Sequence, residues 1–150
     1  MPTTWRLRAW DDPRLEQRFL DEDVIGMSSD ALGDLSMHPT DDDLREWLHA
    51  AHPERSDRAI ATFVRYWRVF LTEMEVDDLV VVPLRKSRYA LGTITGPYRY
   101  MPEEPDPRLR HRRAVEWLQE GPRSEVADTV RRVLGSPGTV CRVKAGWPGT

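Results

Sequence analysis

A predicted hairpin followed by a further strand, within residues 74–117, constrains the fold of this 150-residue chain most strongly. Residues 79–83 and 89–95 are rich in β-branched side chains, which favour strands, and the short basic segment 84–88 joins them. Apolar and polar residues alternate again in residues 112–118, which is the period of a half-buried strand. Strands so close in sequence pair with one another, so the stretch predicts one wall of a small barrel.

The remaining elements are predicted from N-cap residues, which begin helices, and from alternation, which marks strands. They are, in chain order, a strand at 5–10, a helix that Asp12 and Pro13 begin, a strand at 24–27, a helix from Thr40 to His52, a helix from Ser56 through Met74, the hairpin, a strand at 98–100, the strand at 112–118 that Gly121 and Pro122 end, a helix that Ser124 begins, and a strand at 139–143. The order β-α-β-α-α-β-β-β-β-α-β stops alternating after the second strand. It therefore favours an α+β fold, with a small curved mixed β-barrel and helices packed around it, over a doubly wound sheet.

Bulk properties predict one cytoplasmic domain. No apolar run approaches the roughly 18 residues of a membrane span, and the N-terminus lacks the apolar segment of a signal peptide. A single cysteine, Cys141, excludes an internal disulfide, and no Cys or His pair has zinc-finger spacing. We expect the domain to span residues 1–144. Residues 145–150 contain two glycines and a proline, so we expect a linker stub toward an effector domain.

The charge is polarised along the chain, although the net charge is −3. Acidic residues cluster early, whereas residues 85–88 and 108–113 are basic blocks, and 20 of the 22 basic residues are arginine. An arginine excess can reflect base composition of the gene, or it can serve bidentate recognition of phosphate. The basic residues can likewise form a solvated face or a phosphate clamp. The candidates for such a clamp are Arg8, Arg85, Lys86, Arg88, Arg99, Arg110, His111, Arg112 and Arg113.

Tyr98 and Tyr100 are the strongest candidates for ligand contacts. They lie two residues apart, so on an extended segment both rings face one side while Arg99 faces the other. A nucleobase taken out of a duplex needs flat apolar faces, each worth about 1–3 kcal/mol in stacking. The alternative is that the two tyrosines cap the core or a sheet edge, and the residues alone leave both interpretations open.

A family resemblance supports the ligand-binding interpretation. It depends on the segments Ile25-Gly26-Met27, Gly33-Asp34-Leu35-Ser36, Phe70, Met74, Asp78-Leu79-Val80-Val81, Gly92 through Tyr100, and His111 through Trp117. The pattern resembles the PUA-like N-terminal domains of Mrr-type and other modification-dependent restriction endonucleases, and is more distantly similar to EVE and YTH domains. It extends through Leu134-Gly135-Ser136 and Thr139-Val140. Met27 stands where that pattern usually has tryptophan, and Asp77 where it usually has glycine.

The resemblance implies a domain that accepts a modified base, a methylated or hydroxymethylated cytosine or a methyladenine, into an aromatic pocket. A nuclease effector domain or subunit would act with it. Asp34 and Ser36 can bind the polar edge of a base or simply form a turn, and Trp67 suits a helix core as well as a pocket. The implied pocket residues are Met27, Ser28, Asp34, Ser36, Trp67, Tyr98 and Tyr100.

No catalytic set is evident. His111 has no serine or cysteine nucleophile signature beside it, and no acidic spacing typical of a nuclease or of a metal site accompanies it. We therefore expect a binding module without cofactor or metal, which recognises a modified base in double-stranded DNA for a restriction system. Two alternatives stay open, namely a PUA-like module that binds RNA and a protein-interaction domain without a nucleic-acid ligand, which the acidic net charge favours.

Overall fold

The structure is a computed structural model that describes residues 2–28 and 32–148, and it has the predicted order of elements. The strands are β1 (Thr4–Leu7), β2 (Val24–Met27), β3 (Leu79–Leu84), β4 (Arg88–Ile94), β5 (Arg99–Tyr100), β6 (His111–Pro122) and β7 (Val140–Arg142). The helices are α1 (Pro13–Glu22), α2 (Asp41–Ala51), α3 (Asp57–Arg68) and α4 (Asp128–Leu134). A π-helical turn of five residues, Val69–Glu73, follows α3.

The strands form one curled, mixed sheet in the order β2-β6-β4-β3-β1-β7, and β5 pairs with β6. β1 and β3 run parallel, whereas β3 with β4, β4 with β6, and β1 with β7 run antiparallel. The prediction of an α+β fold with a curved mixed sheet and packed helices is therefore confirmed.

The chain divides into two compact units. Unit 1 comprises residues 1–25, 74–97 and 113–150, and unit 2 comprises residues 26–73 and 98–112. The core of unit 1 is formed by α4 and the strands beneath it, through Leu79, Val81, Tyr89, Leu91, Val126, Val130, Leu134 and Val143. Trp147, in the segment predicted as a linker stub, packs on this core with its ring centroid 5.5 Å from that of Tyr89.

The predicted starts of α1, α2 and α3 are confirmed, because each is set by an N-cap side chain that bonds to the first turn of its own helix. The Asp12 carboxylate accepts from the Arg14 N–H at 2.9 Å, and Thr40 forms a capping box with Asp43. The Ser56 hydroxyl caps α3, which has 12 residues. Within the described parts of the chain, no helix combines the length and apolarity needed to cross a membrane.

Several boundaries were predicted wrongly. β1 ends at Leu7 instead of continuing to Trp10, and α3 ends at Arg68, where a π-helical turn replaces the α-helix predicted through Met74. α4 begins after Ala127 instead of at Ser124, because residues 123–125 form a separate 3-10 turn that the Val126 N–H closes onto the Arg123 carbonyl at 3.2 Å. β6 continues through Gly121 and Pro122, which pair with Tyr89 and Arg88 of β4. Proline is tolerated there because it is the last residue of the strand.

A buried carboxylate joins β1 to β3 in unit 1. Asp78 is buried and accepts hydrogen bonds from the backbone of Thr3 at 3.0 Å, the indole of Trp5 at 2.9 Å and the backbone of Glu75 at 2.9 Å. Asp77, before it, adopts φ 79, a left-handed conformation that asparagine and aspartate tolerate better than most residues. Asp77 therefore allows the chain to turn, and the Asp78 carboxylate holds β1 beside β3.

Arg113 belongs to the interior of unit 1 and not to an exposed phosphate clamp. Its side chain is 3% exposed and donates to the carbonyls of Gly96 at 2.9 Å and Met74 at 2.7 Å. Burial lowers the pKa of this guanidinium, while the charge of Asp78 acts in the opposite direction. The sequence-based assignment of Arg113 to phosphate contact is corrected accordingly.

The hairpin turn between β3 and β4 is strained. Lys86 (φ 59) and Ser87 (φ 55), the last two residues of the three-residue loop between Leu84 and Arg88, are both left-handed, a conformation that glycine and asparagine adopt more readily. The Arg123 backbone N–H donates to the Ser87 carbonyl at 2.8 Å. Its guanidinium donates to the carbonyls of Leu84 and Arg88 at 2.9 and 3.0 Å. Arg123 thus holds a turn whose own residues disfavour it.

Replacing Ser87 by glycine is expected to stabilise the protein. Glycine adopts the left-handed conformation without the steric cost of a side chain, about 1–2 kcal/mol, part of which is offset by its greater freedom in the unfolded chain. We expect a gain of about 0.5–1 kcal/mol in the free energy of unfolding, measured by urea denaturation. Ser124→Gly, in a right-handed 3-10 turn, is the matched control and should not stabilise. A lower free energy of unfolding for Ser87→Gly would contradict the left-handed conformation assigned to Ser87.

Replacing Asp78 by asparagine is expected to destabilise unit 1. The amide nitrogen cannot accept from the Trp5 indole or the backbone donors, and an unsatisfied buried donor costs about 1–3 kcal/mol. The comparison is Asp77→Asn, at an exposed left-handed position that suits asparagine. Equal midpoints of thermal or urea unfolding for the two variants would show that the Asp78 carboxylate does not anchor the strands.

Candidate functional site

Five rings gather in unit 2, and we call them the aromatic cluster: Trp67, Phe70, Tyr98, Tyr100 and His111. The His111 ring centroid lies 4.9 Å from that of Trp67, 5.0 Å from Tyr100 and 5.8 Å from Tyr98. Phe70 meets Trp67 and Tyr98 edge to face, at 6.1 and 6.5 Å. Such separations are those of favourable aromatic pairs.

Local structure explains how the rings converge. Trp67 continues the buried stripe of α3, and the π-helical turn that follows carries Phe70. β5 pairs with the start of β6, with Tyr100 opposite His111 and Arg99 opposite Arg112. Both tyrosines contact His111 while Arg99 is exposed, as their two-residue spacing predicts.

Gly26 permits a close approach of backbones beneath the cluster. A Cβ atom at this position would lie 2.4 Å from the carbonyl oxygen of Arg108 and 3.2 Å from that of His111. No side chain fits at the shorter distance, so β2 can lie against the segment that carries His111 only because residue 26 is glycine.

A chain of hydrogen bonds holds Tyr98 and His111. His111 Nε2 lies 3.0 Å from the carbonyl oxygen of Leu32, which can only accept, so Nε2 carries the proton. Nδ1 then accepts from the Tyr98 hydroxyl at 2.6 Å, and that hydroxyl accepts from the Leu35 N–H at 3.2 Å. Both nitrogens of the buried imidazole are satisfied, and the Tyr98 ring is held in place.

Burial keeps both groups neutral. It lowers the pKa of His111, an effect that the hydrogen bond to Leu32 opposes. It also raises the pKa of Tyr98, so the hydroxyl stays protonated and able to donate. A neutral, enclosed imidazole does not pair with phosphate, so the expected phosphate contact of His111 is replaced by a structural role.

Asp34 supplies the negative charge nearest the cluster. Its carboxylate accepts from the Ser36 N–H at 2.9 Å, and this bond lowers the pKa of the carboxyl. Asp34 and Ser36 are exposed, while Leu35 between them is bonded to Tyr98. The turn at residues 34–36 therefore places an ionised acceptor beside the two tyrosines.

Of the seven predicted pocket residues, the structure brings five together: Asp34, Ser36, Trp67, Tyr98 and Tyr100. Trp67 is buried, so it supports the other rings. Met27 is buried at the end of β2, where we assign it to packing, and Ser28 beside it is partly exposed. Residues 29–31, which follow Ser28, lie outside the described residues.

Two predicted clamp residues of unit 2, Arg110 and Arg112, form hydrogen bonds within their own loop, as does the neighbouring Arg108. Arg108 bonds to the carboxylate of Asp106 at 2.9 Å, Arg110 to the carbonyl of Glu104 at 2.8 Å, and Arg112 to the carboxylate of Glu104 at 3.2 Å. These contacts order a segment whose three prolines predict only an exposed loop. Arg110 and Arg112 are consequently occupied, and Arg99 is the exposed member of the clamp in this unit.

The other predicted clamp residues lie in unit 1. Lys86 and Arg88 are exposed at the hairpin, and Arg85 beside them pairs with Asp11 at 3.2 Å. Arg8 is partly exposed and donates to the carbonyl of Ser136. The structure therefore divides the clamp between the units, and this division could not be foreseen from the basic blocks in the sequence.

The chemistry of the cluster suits binding. It offers flat apolar faces, one ionised acceptor and a rigidly held tyrosine. The described ranges 2–28 and 32–148 contain no group of three or more His, Cys, Asp or Glu side chains that could hold a metal ion. The sequence did not reveal Phe70 as a member of the aromatic cluster, nor the hydrogen-bond partners of His111. The pairing of Tyr100 with His111 on neighbouring strands was the signal that could have linked His111 to the tyrosines.

The lowered pKa of His111 predicts a loss of stability in weak acid. Below about pH 6.5 the unfolded histidine takes up a proton that the folded one resists, so the free energy of unfolding falls as the pH falls, by at most about 1.4 kcal/mol per pH unit. Urea denaturation between pH 7.5 and 5 measures the slope. His111→Gln should flatten it; an unchanged slope would show that other groups cause it.

Comparison with known proteins gives a family. A family model described as "Domain of unknown function (DUF8426)" matches residues 5–144, which include β1, the aromatic cluster and β7. No curated protein and no solved structure matches the chain. The match covers more than half of the sequence, so the chain belongs to the DUF8426 family.

Proposed function

We propose that this protein binds nucleic acid and recognises a modified base in double-stranded DNA with the aromatic cluster of unit 2. The observation that carries the proposal is the pair of half-buried tyrosines, Tyr98 and Tyr100, held against His111 beside the ionised Asp34. The DUF8426 family has no assigned function, so the support comes from this geometry and from the resemblance in the sequence.

Each part of the arrangement has a role in holding a base that has left the duplex. The tyrosine rings offer stacking surfaces worth about 1–3 kcal/mol per base. The Asp34 carboxylate accepts hydrogen bonds, which suits the exocyclic amino group of cytosine or adenine. The hydrogen bonds of Tyr98 fix its ring before binding, so little conformational freedom is lost when the ligand arrives.

A methyl group on the base would be recognised by contact with the rings. Burying one such group is worth about 0.8 kcal/mol, which corresponds to roughly a fourfold change in affinity. The protein would act as the specificity module of a modification-dependent restriction system, and the nuclease would lie in another domain or in a partner subunit. In this proposal the chain itself performs no catalysis.

The charge of unit 2 favours a second candidate function, a protein-interaction domain. Unit 2 contains 12 acidic and nine basic residues, so it does not attract DNA by its net charge. It also exposes two large apolar side chains, Met37 (88%) and Trp47 (43%). Absent or salt-insensitive binding of DNA would favour this function, and tighter binding of RNA than of modified duplex would favour the RNA-binding alternative.

The test is a titration of duplexes that differ only in one base, carrying cytosine, 5-methylcytosine, 5-hydroxymethylcytosine, adenine or N6-methyladenine. We expect one modified duplex to bind at least about fourfold more tightly than its unmodified counterpart. Tyr100→Ala should remove this preference, because the ring makes no hydrogen bond among the described residues and serves as a surface. Tyr66→Ala, a partly exposed tyrosine on α3, is the control.

The proposal fails if all duplexes bind equally to the unaltered protein, or if Tyr100→Ala retains the full preference. Circular dichroism of each variant establishes that the fold persists, so a loss of preference can be assigned to the missing ring.

A further inference from the structure

Three segments of unit 1 meet around the β3–β4 hairpin. Asp11 pairs with Arg85 at 3.2 Å, and the Glu16 carboxylate accepts from the Arg85 backbone N–H at 2.7 Å, which fixes residues 11–16 beside the turn. The Arg123 backbone donates to Ser87 at 2.8 Å on the same turn. We call the side chains gathered here, Arg8, Trp10, Lys86, Arg88 and Arg123, the hairpin surface.

Among the described residues, the arginines of this surface form no ion pair. Arg123 donates to the carbonyls of Leu84 and Arg88, and Arg8 to that of Ser136, all of which are neutral acceptors. Burial lowers the pKa of Arg123, and the neighbouring charge of Arg8 lowers it further, against the effect of Glu16. Because carbonyl oxygens hold both guanidinium groups in place without neutralising them, the two groups favour an anion.

Two carboxylates lie at the hairpin, and both contact Arg85. Asp11 pairs with the Arg85 guanidinium, so this residue, although predicted as a phosphate contact, is the one whose charge is compensated by an ion pair. Glu16 accepts from the Arg85 backbone N–H and contributes one negative charge near Arg123. Lys86 and Arg88 are exposed on either side of Ser87 and have no side-chain partner among the described residues. The hairpin therefore presents two exposed cations in addition to Arg8 and Arg123.

The strain of the turn also indicates a role beyond folding. Left-handed positions favour glycine or asparagine, yet this chain places lysine and serine at the two left-handed positions of the loop. Residues retained in costly conformations cluster at binding sites, where the side chain has a use that outweighs the cost. Here the use would be to hold the Lys86 ammonium at the tip.

Trp10 adds an aromatic face to these cations. Its side chain is 57% exposed, an unusual state for the largest apolar side chain, and it adjoins Asp11, which touches the hairpin. Exposed aromatic rings beside a basic groove are the common means of binding single-stranded nucleic acid, because a base stacks on the ring while phosphates meet the cations.

We infer that the hairpin surface is a second nucleic-acid site, which binds an unpaired strand through phosphates at Arg8, Lys86, Arg88 and Arg123 and through one base stacked on Trp10. The inference rests on the proposed function only because both name a nucleic acid as the ligand. It requires neither a modified base nor the aromatic cluster, and its specificity is for single strands without regard to sequence.

The experiment is a fluorescence anisotropy titration of the full chain with a labelled, unmodified single-stranded oligodeoxynucleotide at several salt concentrations. Lys86→Ala and Arg88→Ala should each weaken binding and reduce the slope of log affinity against log salt by about 1. Trp10→Ala should weaken it roughly tenfold with the slope unchanged. Arg58→Ala, an exposed arginine of α3 in unit 2, removes the same charge and should change neither quantity.

One variant separates binding from folding. The pair Lys86→Asn with Ser87→Gly places residues that tolerate the left-handed conformation at these two positions, so the protein should unfold at higher denaturant and yet bind the strand more weakly. Weaker binding in a more stable protein cannot be attributed to misfolding. Unchanged binding by this variant and by Trp10→Ala would overturn the inference.

Competitors distinguish the sources of phosphate. Displacement by an unlabelled oligodeoxynucleotide or oligoribonucleotide supports a strand-binding site, whereas equal displacement by inorganic phosphate, a mononucleotide or polyglutamate would overturn it. The outcome is independent of the proposed function, since Tyr100→Ala should leave the binding of the unmodified strand intact. Equal binding of modified and unmodified duplexes by the unaltered protein, with strand binding intact, would count against the proposed function of the aromatic cluster alone.

Discussion

The buried imidazole of His111 is the contact on which unit 2 depends. It bonds to the Leu32 carbonyl through one nitrogen and to the Tyr98 hydroxyl through the other, and three aromatic rings surround it. Because neither nitrogen is left without a partner, the imidazole can be enclosed in neutral form. A histidine that precedes two arginines in the sequence thus supports an aromatic surface in the interior.

Unit 1 is organised by buried charge in a comparable way. Asp78 ties β1 to β3, Arg113 bonds to carbonyls in the interior, and Arg123 closes the hairpin turn. Several arginines that look like surface cations in the sequence therefore stabilise the fold. Of the predicted phosphate clamp, the members that are exposed and form no ion pair among the described residues are Lys86 and Arg88 in unit 1 and Arg99 in unit 2, and this makes their positions more informative about ligands.

The sequence predicts what local chemistry determines. Asp12-Pro13, Thr40 with Asp43, and Ser56 each set a helix start within a few residues, and all three are confirmed. Tyr98 and Tyr100 face together because of a two-residue period. Burial of His111 depends on Leu32, 79 residues away, and the role of Asp78 depends on Trp5, 73 residues away, so no local pattern reveals either. The loop arginines bond to partners that only the folded turn brings near. For this reason the sequence predicted more phosphate contacts than the structure leaves available.

The central claim is that a modified base lies against Tyr98 and Tyr100. NMR titration of the labelled protein with duplexes that carry or lack the modification tests it most directly. The claim predicts that the modification-dependent shifts concentrate on the rings of Tyr98 and Tyr100 and on the amides of Asp34 and Leu35. Shifts centred instead on Trp47 and α2, or identical shifts with both duplexes, would contradict it.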